Sequence, residues 1–340
     1  MTTGCKKGAF LLERLITLGQ SGRCLRTLGG DRAGEVRLGR FLRNPRVTPS
    51  EMVTAARFRL LPRLAGRDVL LIQDTTSLRD DGNRRGVYLH PTIAVDATDG
   101  ALLGLLSADV LIRDETPKEH RHKRALADKE SRRWIDAIAQ AEDVVAAGAA
   151  SVTMIADREA DLYETFALGP DGVDRLIRVR HDRLLKDGTL YEAGAILPGS
   201  PKLIVAVPAA PGRTARTACL TVRTPRVHIR RPNRSRAYEA RALPASVALT
   251  VVEVREDDPP PGEAALHWRL LTSHTVASFA DVQWIVGLYR RRWEIEPVFR
   301  VMKTRGFDVE AVAFEDNAPL ANCACAILIA AIHIQQMLHD

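Results

Sequence analysis

Two short apolar runs, each closed by an aspartate, limit what this 340-residue chain can become: DVLLIQD at 68–74 and SVTMIAD at 151–157. Aliphatic runs of this length, bounded by polar residues, read as buried strands rather than half-exposed ones. VYLHPTIAVD (87–96) and GALLGLLSADVLI (100–112) lie between them, with TDG at 98–100 to supply a hairpin turn. A charged linker follows, then a helix over about 128–147, then the run ending at Asp157 and the helix READLYETFALG. Three strands, a helix, a strand and a helix predict an α/β sheet. Its first three strands form an antiparallel meander, and the fourth joins through a helical crossover.

The flanking regions differ in character. Residues 1 to about 65 read as short helices near 9–19, 35–43 and from TPSEM onward, with Thr48 or Ser50 as cap and Pro62 as the break. After a strand at 175–180 the helical period disappears for about ninety residues. Turn clusters such as KDG, LPGSP and DDPPPGE then mark a β-rich insertion that ends with LHWRLLT at 266–272. SFAD at 278–281 resembles a capping box and opens a helix running to about 304, and an apolar helix at 318–337 closes the chain. The resulting division is a basic helical segment at 1–65, a core at 66–180, an insertion at 181–272 and the rest of the core at 273–340.

Charge points to a polyanionic partner. Residues 1–48 carry ten Lys and Arg against three acids, a surplus equal to the whole net charge of +7. A second block, 212–241, holds nine arginines and one acid, Glu239. Two basic zones on a nearly neutral background favour nucleic acid over the alternative, a basic surface kept for solubility. The five cysteines at 5, 24, 219, 323 and 325 lack zinc-finger spacing and read as reduced cytosolic thiols. No secretory signal opens the chain, and CACAILIAAI (323–332) is too short for a bilayer. The expectation is a cytoplasmic, nucleoid-associated protein without a membrane.

Chemistry collects on three acids. Asp74 and Asp157 each end a strand, although Asp74 could simply form a turn with Thr75 and Thr76, and Asp157 could cap the helix behind it. Within YRRRWEIEPVFRVMK (289–303), a continuous helix places Tyr289, Arg292, Glu296 and Lys303 on one stripe. The stripe is either a solvated face held by ion pairs or a catalytic edge. Three carboxylates without Cys or His favour magnesium or manganese, two ions of which can flank a phosphodiester. Arg292 and Lys303 suit phosphates, and Tyr289 adds a neutral hydrogen bond.

These residues resemble a known family. QDTTSL around Asp74, ADREAD around Asp157 and the spacing Tyr-x2-Arg-x3-Glu-x6-Lys at Tyr289, Arg292, Glu296 and Lys303 are similar to DDE transposases of insertion-sequence family four, the transposon-five-like group. FLRNPRV (41–47), DKESRRW (128–134) and HWRLLTS (267–273) are weaker echoes. The resemblance implies an RNase H-like mixed sheet flanked by helices and interrupted by a β-insertion. It implies Asp74, Asp157 and Glu296 as ligands of two Mg2+ or Mn2+ ions, with Tyr289, Arg292 and Lys303 gripping phosphates. Trp268 matches a tryptophan that stacks on a flipped base, or is a core tryptophan of a half-buried strand. Arg178 aligns with a DNA-contacting arginine, whereas His90 and His181 read as packing or turn residues.

The implied activity is cut-and-paste transposition: binding of terminal inverted repeats, strand cleavage, hairpin formation and transfer into target double-stranded DNA by a homodimer on paired ends. Relatives continue past this length with a helical assembly region, so the end at Asp340 leads one to expect a shortened copy. The alternatives are therefore a truncated, transposition-inactive DNA-binding regulator and an RNase H-like nuclease without strand transfer.

Overall fold

The computed structural model describes residues 3–18, 28–80, 86–113, 131–195, 199–209, 214–232, 243–303, 307–311, 314 and 316–339. The charged linker after residue 113, the second basic block beyond residue 232 and the side chains of Cys5 and Cys24 lie outside these residues. Contacts divide the chain into two compact units. One comprises Met1–Arg124, Asp136–Val152 and Arg291–Asp340, and the other Ala125–Ile135 and Thr153–Arg290.

The first unit opens with three helices, α1 (Thr3–Leu18), α2 (Arg32–Leu42) and α3 (Pro49–Leu60). Thr48 caps α3 as expected, its hydroxyl accepting from the Glu51 N–H at 3.2 Å, and Pro62 falls in a 3-10 turn that ends it. Strands β1 (Asp68–Gln73), β3 (Gly86–Asp96) and β4 (Leu102–Arg113) form the antiparallel meander. β2 (Thr76–Asp80) was not expected, because TSLRD is short and half polar. It continues β1 along the same side of β3: Gln73 pairs with Thr92 and Thr76 with Leu89.

The gap between β1 and β2 lies opposite His90 and Pro91. Proline has no N–H to give a ladder, so the pairing breaks there, and Asp74 occupies the break. Helices α4 (Arg132–Ala139) and α5 (Glu142–Ala146) replace the single expected helix. They lead to β5 (Ser151–Ala156). The Gly66 N–H bonds Gly148 O, and the Ala150 N–H bonds Arg67 O, both at 2.8 Å. The segments that lead into β1 and β5 thus lie side by side.

The closing apolar helix is longer than expected. It is numbered α10 here and spans Asn317–His339, with α6 to α9 introduced below. By length and composition it could cross a membrane, yet 78% of its apolar window is buried inside the protein. It packs on β4, α1 and α3, and Asn322 Nδ2 donates to Leu42 O and Val47 O, fixing the α2–α3 connection. Cys323 and Cys325 are free thiols within it, and burial pushes both up to about 12, so they stay protonated and act as small apolar groups.

The second unit holds most of β5 and then α6 (Tyr163–Ala167), β6 (Val173–Arg178), α7 (Leu190–Ala193), β7 (Lys202–Val207), β8 (Arg216–Arg223), β9 (Arg226–Arg230), β10 (Ser246–Glu256), β11 (His267–Thr272) and α8 (Phe279–Arg290). The strand order is β5-β6-β11-β10-β8-β7, with β9 also on β10. The insertion therefore does not stand apart as a layer. It is hydrogen-bonded onto the core through β11 and β6, where Leu271 faces Ile177. One apolar cluster, with Trp134, Tyr163, Ile177, Ile229, Val251 and Leu271, spans both. The expected α/β class holds: a mixed arrangement of eleven described strands, flanked by helices and interrupted by a β-rich insertion.

Candidate active site

Asp74 stands directly beyond β1, whose residues Val69 to Gln73 are buried. Its Oδ1 accepts from the Thr75 N–H at 2.8 Å, so the local turn weighed from sequence is real. Its Oδ2 accepts from Arg292 Nη1 at 2.9 Å, across 218 residues of chain. A local turn alone does not require a buried arginine, and Arg292 is only 7% exposed.

His90, set aside in the sequence as a packing residue, also serves Asp74. It is fully buried on β3, with Nε2 3.1 Å from Gln73 Oε1 and Nδ1 2.9 Å from Thr75 Oγ1. Through its two nitrogens the one ring ties together the residues on either side of Asp74. The signal available in the sequence was its position one residue before Pro91, in the strand opposite.

The helix expected to run unbroken to about 304 does not. Ser278 Oγ donates to Asp281 Oδ2 and accepts from the Asp281 N–H, so the capping box starts α8 as expected. The backbone then winds as a 3-10 turn over Arg291–Ile295 before α9 (Glu296–Met302). At about 120° per residue that turn breaks the 100° projection, and the single stripe of four side chains does not exist. Arg291 is anchored at the break, where its Nη2 donates to Thr98 O at 2.8 Å in the β3–β4 hairpin. At the tip of that hairpin Gly100 adopts φ +87°, and a Cβ there would come within 2.2 Å of Arg291 Nη1. The 3-10 turn packs against β1, and this presents Arg292 to Asp74.

Glu296 is the first residue of α9 and is half-buried. Lys303 lies past the end of α9, where its Nζ pairs with Glu310 Oε1 at 2.7 Å.

In the second unit, Asp157 caps the 3-10 turn Arg158–Ala160, its Oδ1 accepting from the Glu159 N–H at 2.8 Å. The capping role weighed from sequence is thus present, and the half-buried side chain keeps a second oxygen. Asp161, the other acid of ADREAD, was not singled out. It is fully buried and accepts from the Arg180 N–H, the His181 N–H and the Arg183 guanidinium, locking the turn behind β6.

Trp268 is half-buried, its ring centroid 6.1 Å from that of Tyr289, which is only 3% exposed. The neighbours of Trp268 on β11, His267 and Arg269, both bind the buried Glu253 of β10. That clamp takes the opposite face of the strand and leaves the indole to Tyr289. Arg178 Nη2 donates to His267 O at 3.0 Å, one residue from the same indole.

Asp74 with Arg292, Trp268 with Tyr289, and Lys303 with Glu310 are therefore direct contacts. Among the described residues, no group of three or more His, Cys, Asp or Glu side chains is arranged to hold a metal ion. The donor chemistry of Asp74, Asp157 and Glu296 is nevertheless all carboxylate oxygen, which suits a hard divalent cation.

The comparison with known families covers most of this chain. The model of the transposase DDE domain matches residues 70–332, which takes in both strand-end aspartates, the 3-10 turn and Glu296. Members of that family act on DNA and generally use divalent metal ions in phosphodiester chemistry. With more than three quarters of its length matched, this chain belongs to the transposase DDE domain family.

Proposed function

We propose that this transposase is of the insertion-sequence-four, transposon-five-like kind. In this reading it binds the terminal inverted repeats of an insertion sequence, cleaves them, forms hairpin ends and transfers them to target DNA. Asp74, Asp157 and Glu296 are the acids that hold two Mg2+ or Mn2+ ions. Bound there, the ions supply Lewis-acid stabilisation of charge at the phosphodiester. The supporting observation is the contact from Arg292 to Asp74: the arginine of the Tyr-x2-Arg-x3-Glu-x6-Lys spacing meets the first aspartate.

The chain's own residues have separate tasks in this reading. Arg292 orients Asp74 through the hydrogen bond from its Nη1 to Oδ2. Lys303 and Arg178 neutralise phosphates, and Trp268 offers a π-face to an unpaired base. Tyr289 is too buried for broad contact with DNA and backs the indole instead. The helical segment 1–65 and the insertion 181–272 contribute further DNA contacts to a core at 66–180 and 273–340. Two copies act on paired ends, in the cytoplasm at the nucleoid.

The test is a labelled duplex carrying the element's terminal repeat, incubated with magnesium or with EDTA and resolved on a denaturing gel. Magnesium-dependent nicking followed by a hairpin-length product is the expected result. Nicking without a hairpin reduces the assignment to a nuclease. Glu296→Ala abolishes cleavage and leaves end binding largely intact; wild-type cleavage in that variant removes Glu296 from the site.

A further inference from the structure

The arginines of the second unit fall into two groups. Most are tied to an acceptor: Arg183 to Asp161, Arg216 to Glu256 and Glu263, Arg269 to Glu253, Arg231 to Leu243 O and Arg290 to Ala206 O. Those on β9 are not. Arg226, His228 and Arg230 are exposed, while Val227 and Ile229 between them are buried. The period of two puts the three basic side chains in one row on the outer face of the strand. Among the described residues none of the three side chains makes a hydrogen bond or ion pair.

The described residues directly opposite this row carry no charge. The residues of β10 directly opposite are Thr250, Ala248 and Ser246. Further along that face of β10 come Val252 and Val254, and then Glu256, which is buried and held by Arg216. On the other side of β9, the Arg230 N–H bonds Leu184 O, and the adjoining turn tip carries one residue of each sign, Lys186 and Asp187. Like charges aligned on one strand face repel one another, and the residues of β10 opposite them carry no charge to offset that repulsion.

The geometry points to β9 as a rail for the sugar–phosphate backbone of a DNA strand. Alternate residues of a strand stand about 7 Å apart, comparable with neighbouring phosphates on an extended nucleic acid strand. Arg226 and Arg230 take phosphates along the rail, and the small uncharged residues of β10 let the backbone lie close. Such interactions position the duplex without reading its sequence. This inference rests on the transposase reading and narrows the DNA contacts it gives the insertion to one named strand.

The test is the salt dependence of DNA binding by the full chain and by Arg226→Ala/Arg230→Ala, on a terminal-repeat duplex and on one of unrelated sequence. Every phosphate that a side chain ceases to neutralise lowers the slope of log K against log salt by about 0.9, so the slope for the double variant falls by about 2 on both duplexes. Arg226→Lys/Arg230→Lys restores most of that slope, which a purely structural role for the arginines would not predict. An unchanged slope in the alanine variant, or a decrease confined to the terminal repeat, overturns the rail. If the unaltered chain binds neither duplex, the transposase reading falls as well; if it binds and the variant equals it, only the rail falls.

Discussion

Arg292 Nη1 lies 2.9 Å from Asp74 Oδ2, and both side chains are mostly withdrawn from water. Removing one partner of a fully buried pair costs about 3–5 kcal/mol, because the other charge is left uncompensated. Asp74 keeps about a fifth of its side chain exposed, so Arg292→Ala should cost less than that range, measured by urea denaturation. Adding Asp74→Asn to Arg292→Ala should recover part of the stability, since the stranded charge disappears. Equal stability of Arg292→Ala and the unaltered protein would mean that the pair contributes nothing to the fold.

His90 makes a different contribution. Its ring bonds Gln73 and Thr75, the residues that flank Asp74, so it acts as a positioning residue. Small misplacement of a reacting group costs up to about 100-fold in rate. His90→Ala should therefore slow magnesium-dependent nicking by about 10–100-fold while leaving end binding unchanged. His90→Gln, which can still offer a donor and an acceptor, should restore part of the rate. A parallel fall in binding and nicking would indicate general damage to the fold.

Trp268 can be separated from the cleavage acids by the step it affects. Base stacking on an aromatic ring is worth about 1–3 kcal/mol. Trp268→Ala should spare the first nick and impair hairpin formation. Tyr289→Leu, which removes the ring behind the indole, should weaken the same step to a smaller degree. Equal impairment of both steps in Trp268→Ala would make the tryptophan a core residue.

Much of this arrangement could be read from local sequence, and the parts that could not share one cause. Apolar patterning made β1, β3, β4 and β5 visible, continuous in most and alternating in β3, and Thr48 and Ser278 marked the starts of α3 and α8. RRWEI keeps a helical pattern yet winds as a 3-10 turn, where Arg291 and Arg292 are held by Thr98 and Asp74, about two hundred residues away. No window of sequence contains those partners. β2 is specified by the strand it pairs with rather than by its own residues. The insertion was recognisable as β-rich, but its attachment to β6 through β11 depends on register, which the strands' composition does not encode.

His274 predicts a pH dependence belonging to the second unit. Burial holds its imidazole below the ordinary value near 6.5, more strongly than Asp174, 3.2 Å from Nδ1, raises it. Nε2 meets Thr153 Oγ1 at 2.9 Å, and the Trp284 ring stands edge-on at 4.8 Å. The unfolded chain therefore binds its proton first as pH falls, and stability rises with pH over this window. Urea midpoints should hold above about pH 6.5 and decline from there toward the lower folded value. His274→Gln should flatten that decline. Asp281 and Glu256 are held below the usual carboxylate range, Asp281 by the Ala277 and Ser278 N–H groups and Glu256 by Arg216. Their stabilisation disappears only as pH falls below about 4, so acid titration should show two separate declines. A decline near pH 6 that survives in His274→Gln would assign it to another group.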